Sequence, residues 1–113
     1  MPHVVIGDPP DPGAFHRAFQ PWKRTTPGGD RIEARAAYLR SDGRVVLVQA
    51  TAIELGPPTH FFVSLESKKH QVTVKLFAHP SPARTEAVQE TVAQVARDFL
   101  ELGGHVERTN LSL

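Results

Sequence analysis

The chain has no cysteine among its 113 residues, and only one methionine, one tryptophan and one tyrosine. The missing thiols exclude disulfides, thiolate nucleophiles and thiolate zinc sites, and they leave the redox compartment open. No apolar run exceeds a few residues, so no segment reads as a membrane-spanning helix and no membrane partner is expected. Neither sign of charge dominates. Thirteen Lys and Arg against twelve Asp and Glu leave a formal net charge of +1. That gives no general pull toward nucleic acid or anionic lipid, so any such attraction has to be a local patch. Met1-Pro2-His3 lacks the basic, apolar and small-residue succession of a secretory signal, and a cytoplasmic location is the expectation. At this length residues 1–113 are expected to form a single domain around one core.

Catalytic motifs are missing as well. There is no GxSxG, HExxH, HxH or GxxxxGK[ST]. The stretch Lys23-Arg24-Thr25-Thr26-Pro27-Gly28-Gly29-Asp30-Arg31 combines cations, hydroxyls and glycines. It lacks the strand–loop–helix setting of a phosphate cradle and reads as a surface connection. Glu33, Glu54 and Glu66 fall on different predicted strands, each near basic residues, so no carboxylate pair is evident. No catalytic residue, cofactor or metal is predicted, and a non-enzymatic role is the expectation.

What the chain does contain is clear punctuation and alternation. Residues 4–6 predict a short first strand, broken by Asp8-Pro9-Pro10. Asp11 as cap with Pro12 at the first helical position opens a brief helix, in which Phe15, Ala18 and Phe19 share a face. Residues 22–30 are expected as a loop. Segments 32–40 and 44–55 flank Ser41-Asp42-Gly43 and predict a hairpin. A three-residue turn there would put Ile32, Ala34, Ala36 and Tyr38 with Val46, Val48, Ala50 and Ala52 on one apolar face. After Ser81 as cap and Pro82, a helix over 82–102 is expected, about 30 Å long, with Val88, Val92, Val95, Phe99 and Leu102 as its apolar stripe. Gly103-Gly104 stops it, and 105–111 reads as an edge strand. The fold predicted is two-layer α+β. A four-stranded antiparallel meander over about 31–79 carries the long C-terminal helix 82–102 across one face, with a short N-terminal helix and short terminal strands.

The segment 60–79 predicts the second hairpin, with a turn over Ser67–His70 and Glu66 opposite Gln71. Phe61, Val63 and Leu65 then face Leu76, Val74 and Val72 as pure core. The other face carries His60, Phe62, Lys75, Phe77 and His79. Such a half-apolar face has to be covered or to bind something. The leading expectation is a non-catalytic binding or assembly domain that forms a homodimer through it. The alternative is a module for single-stranded nucleic acid, stacking bases on Phe62 and Phe77 beside Lys75, with Lys23, Arg24, Lys68 and Lys69 as phosphate contacts. A third possibility is internal: the short helix could lay Phe15 and Phe19 over Phe62 and Phe77. His60 and His79 are diagonal neighbours in this register but lack a third ligand, so no metal is assigned.

Overall fold

A computed structural model describes residues 1–77 and 82–113. One antiparallel sheet of seven strands contains almost all of the extended chain. In chain order the elements are β1 (His3–Gly7), α1 (Pro12–Ala18), β2 (Trp22–Thr25), β3 (Arg31–Leu39), β4 (Val45–Ile53), β5 (Thr59–Lys68), β6 (Gln71–Leu76), α2 (Glu86–Leu100) and β7 (His105–Thr109). Across the sheet the strands run β2-β3-β4-β5-β6-β1-β7 and curve into a half-barrel. The four-stranded meander with a long helix is thereby overturned. Two strands differ from the expectation, β1 being interior and β2 replacing a predicted loop, while β7 is the edge strand expected over 105–111.

Each misreading has a local cause. β1 is only five residues, yet it pairs with β6 on one side and β7 on the other, and Val4 and Ile6 are fully buried. Those pairings join segments about a hundred residues apart in one case, which no local pattern reveals. β2 carries Trp22, Lys23, Arg24 and Thr25, a weakly alternating run that looks like a connection. It is extended because β3 offers an unpaired edge for it to bind.

β3 and β4 begin in the predicted pairing of Ile32 with Ala52 and Ala34 with Ala50. A β-bulge then intervenes between Ala34 and Ala36, so one residue more is used on β3. A bulge moves every later side chain of its strand to the other face. Ala37 and Leu39 therefore take the core side opposite Val48 and Val46. Ala36 and Tyr38 leave the apolar face on which the sequence placed them. Tyr38 is 54% exposed and donates to Gln49 Oε1 at 3.1 Å.

The β5–β6 hairpin keeps its predicted faces but not its predicted register. Lys68 lies opposite Gln71, Leu65 opposite Val74 and Val63 opposite Leu76, two residues away from the expected pairing. Lys69 and His70 alone make the turn, with φ of 47° and 65°. Positive φ at both central positions is the hairpin turn whose twist suits the flanking strands. A slip by two preserves the face of every side chain, which is why the core assignment survives it.

Both helices pack on one side of this sheet. α2 touches β1, β3, β4, β5 and β6. It begins at Glu86 rather than at Pro82, because the Thr85 hydroxyl accepts from the Val88 N–H at 3.3 Å. The Ser81 cap expected from the sequence lies outside the described residues. Fifteen residues give a helix of about 22 Å, shorter than predicted. Val88, Val92, Val95 and Phe99 are buried as the stripe required, whereas Leu102 falls beyond the helix and is 44% exposed. α1 touches β3, β4 and β5. Phe15 meets Phe99 edge-on at 5.8 Å, so α1 extends the same core that α2 covers. After α2, Gly104 with φ of 84° lets the chain turn beneath β1; a Cβ there would stand 2.8 Å from Ile6 Cγ2.

Candidate interaction face

The sheet face away from the helices gathers four of the five predicted residues. His60, Phe62, Lys75 and Phe77 all lie on it, while His79 lies outside the described residues. Register alone dictates the arrangement. Tyr38, Leu47, Ser64, Lys75 and His3 form one row across β3, β4, β5, β6 and β1. Val45, Glu66, Thr73, Val5 and Arg108 form another, reaching β7. Between them and the far end, Ala36, Gln49 and Phe62 align, and the Phe77 N–H donates to the Phe62 carbonyl at 2.9 Å.

At the centre the Phe62 and Phe77 rings stand 6.4 Å apart at 81°. Edge-to-face contact of this kind is a favourable aromatic geometry. Phe62, Leu47, Val45 and Phe77 are all half-buried. Neither α1 nor α2 covers them, so the internal cover by Phe15 and Phe19 is not what the chain does.

Several polar groups near the centre of the face are matched by neighbours on it. Lys75 Nζ lies 3.2 Å from Glu66 Oε2, and the Ser64 hydroxyl donates to the same oxygen at 2.9 Å. Thr51 Oγ1 and His60 Nδ1 are 3.0 Å apart. Glu33, almost fully buried, sits between Lys23 Nζ at 3.6 Å and Arg35 at 3.8 Å. Of these, the Lys75–Glu66 pair is solvent-exposed and adds little stability.

The predicted phosphate contacts do not converge. Lys23 and Arg24 are successive residues of β2 and point to opposite faces. Lys23 pairs with Glu33, while Arg24 turns to the helix side, its guanidinium 5.4 Å from the centre of the Trp22 ring. Lys68 and Lys69 are exposed at the β5–β6 tip. Three strand spacings, about 14 Å, separate β2 from β5. Among the described residues no group of three or more His, Cys, Asp or Glu is placed to hold a metal ion. No helix among them is long and apolar enough to cross a membrane.

A second concavity escaped the sequence reading. Phe15, Phe19 and Trp22 line it with Asp98, Glu101 and Leu102, where α1, β2 and the end of α2 meet. Trp22, in the stretch expected as a loop, is a half-buried residue of an edge strand, packed against the core. The only forewarning was the i, i+3 spacing of Asp98 and Glu101, which places both on one side of α2.

Comparison with protein-family models, with curated proteins and with solved structures finds no match for this chain.

Proposed function

We propose that this domain is a non-catalytic assembly module that self-associates through the outer face of its sheet. The observation that carries the reading is the composition of that face. It has an apolar centre of Leu47, Phe62 and Phe77, and the charges next to that centre, Lys75 and Glu66, are paired with each other. Desolvating that centre does not bury an unpaired charge, which is the usual obstacle to burying polar surface. Five strands at about 4.8 Å spacing and six residues at about 3.3 Å give a patch of roughly 20 by 24 Å in projection. Once corrugation is counted, that approaches the ~800 Å² per partner of ordinary interfaces.

The sheet edges offer a poorer route. Antiparallel self-pairing centred on β7 would set Glu107 against its own copy, and pairing centred on β2 would set Lys23 against Arg24. Like charges directly opposite one another disfavour both. A second copy on the outer face is therefore the occupant this reading selects, and a cytoplasmic setting goes with it.

Sedimentation velocity over ~1–300 µM tests the proposal, since a dimer must dissociate on dilution by mass action. Phe62→Asp is expected to give a folded monomer throughout. A wild-type chain that stays monomeric at the upper limit overturns the reading. The same rings could instead stack bases, but Lys75 is engaged by Glu66, which weakens that alternative. Salt-sensitive binding of mixed single-stranded oligonucleotides, lost in the Lys75→Glu, Phe62→Ala double variant, would favour it over self-association.

A further inference from the structure

The hollow between α1, β2 and the end of α2 is unrelated to the outer face, because it opens on the helix side of the sheet. Its volume is about 180 Å³. A cavity of about 150 Å³ holds a benzene ring, so the space suits a ligand of one small ring or a short alkyl chain. Phe15, Phe19 and Trp22 provide aromatic walls, and Leu102 adds an aliphatic one. Asp98 in the last turn of α2 and Glu101 just after it put two carboxylates at the same place.

Three independent features make this a negative environment with apolar walls. The first is the carboxylates. The second is their position in the last turn of α2 and just after it, where the helix dipole is itself negative and anions are disfavoured. The third is the π-face of each aromatic ring, which carries partial negative charge. Separately, burial holds the Asp98 carboxyl above its ordinary range, against a hydrogen bond from Gln94 and the nearby Arg24 and Arg97. Glu101 adds to that burden.

Trp22 shows what the walls can accept. Its Nε1 is sealed from solvent and has no hydrogen-bond partner among the described residues, an arrangement a phenyl ring would not require. The Arg24 guanidinium 5.4 Å from its centre shows that the ring already receives a cation. Tryptophan is the side chain best suited to that contact.

We propose that the hollow lined by Phe15, Phe19, Trp22, Asp98 and Glu101 is a binding site for a small organic cation, an ammonium group carrying one aryl or short alkyl body. The ammonium lies against Asp98 and Glu101, and the hydrocarbon lies between the aromatic rings. Arg24 is the chain's own competitor for the Trp22 face.

Trp22 is the only tryptophan and lines this hollow, so ligand binding there is read from its fluorescence. The experiment titrates the full chain with phenethylammonium chloride and, as a neutral counterpart of the same shape, 2-phenylethanol. A saturable change is expected with the ammonium compound and an affinity about tenfold lower or worse with the alcohol. Glu101→Gln, at an exposed position, is expected to weaken ammonium binding several-fold, and the Asp98→Asn, Glu101→Gln double variant to abolish it. Arg24→Gln should bind as well as the wild type or better. The absence of a saturable response, an equal response to the alcohol, or loss of binding in Arg24→Gln would each overturn the proposal. The alcohol comparison needs no variant, so the test holds even if the double variant does not fold.

Discussion

Phe61 and Phe62 are neighbours in the chain and stand on opposite faces of the sheet. Phe61 is 1% exposed within the core, whereas Phe62 is half-exposed and meets Phe77 edge-on at 6.4 Å. This alternation is what separates the core face from the outer face along β5. Phe61→Ala is expected to lose about 3–5 kcal/mol in urea unfolding, the range for an emptied aromatic site in a core. Phe62→Ala should lose only about 1 kcal/mol of protomer stability, mostly the aromatic pair. It should nevertheless weaken self-association strongly. If both variants cost the protomer the same, the outer face is part of a buried core and the proposed interface is wrong.

The Lys69-His70 turn holds two ordinary residues in the left-handed region. Side chains other than glycine, asparagine and aspartate pay roughly 1–2 kcal/mol there. Replacing the pair by Asn-Gly, the residues this turn favours, is expected to stabilise the protein by about 1 kcal/mol or somewhat more. The thermal midpoint should rise accordingly, with the face residues unchanged. A fall in midpoint would mean that Lys69 or His70 makes contacts worth more than the relieved strain.

That turn also shows what was legible in the sequence. The strict alternation of Phe61 to Leu65 and Val72 to Leu76 reports faces, because faces have a period of two, but any slip by two is invisible to it. The membership of the outer face could therefore be assembled from sequence while its cross-strand pairs could not. The bulge near Arg35 is hidden for a related reason. Ala34, Ala36 and Ala37 are interchangeable in size and polarity, so nothing in the pattern signals that one of them changes side. β1 between β6 and β7 is a matter of long-range pairing, and four weakly patterned residues at β2 are extended only because β3 has an open edge. The aromatic hollow was out of reach altogether, since it is built from three elements that share no local motif.

At the β3–β4 turn Arg40 grips Asp42 through three hydrogen bonds, the shortest 2.7 Å, and the Arg44 N–H donates to the same carboxylate. The Arg40 bond is the larger cause, and together they hold the Asp42 carboxyl at about 2 instead of 3.8. A carboxyl group lowered on folding stabilises the fold above its ordinary range and loses that contribution as the pH falls through its folded value. Carbon-detected NMR of the side-chain carboxyl should find it titrating near 2. Arg40→Gln should bring it most of the way back toward 3.8, with Arg44 accounting for what remains. A wild-type value near 3.8 would mean that the turn does not hold this geometry in solution.

Asp98 has the opposite sign. Its carboxyl is raised, first by burial and only partly relieved by Gln94 and Arg24. Folding then favours the protonated form, so the ionised group weighs against stability above its folded value, and that burden disappears as the pH falls below the ordinary carboxylate range. Asp98→Asn removes the charge while keeping an oxygen to accept from Gln94 Nε2, now 2.9 Å from Oδ1. The variant should be more stable than the wild type at pH 7, and the two should converge in acid. Thermal unfolding across that range checks it. Phenethylammonium should narrow the difference at pH 7, because a cation seated beside Asp98 relieves the same burial cost in the wild type and finds no charge to meet in the variant. If Asp98→Asn is instead less stable at pH 7, the carboxylate is satisfied within the fold, and the electrostatic case for the cation site fails with it.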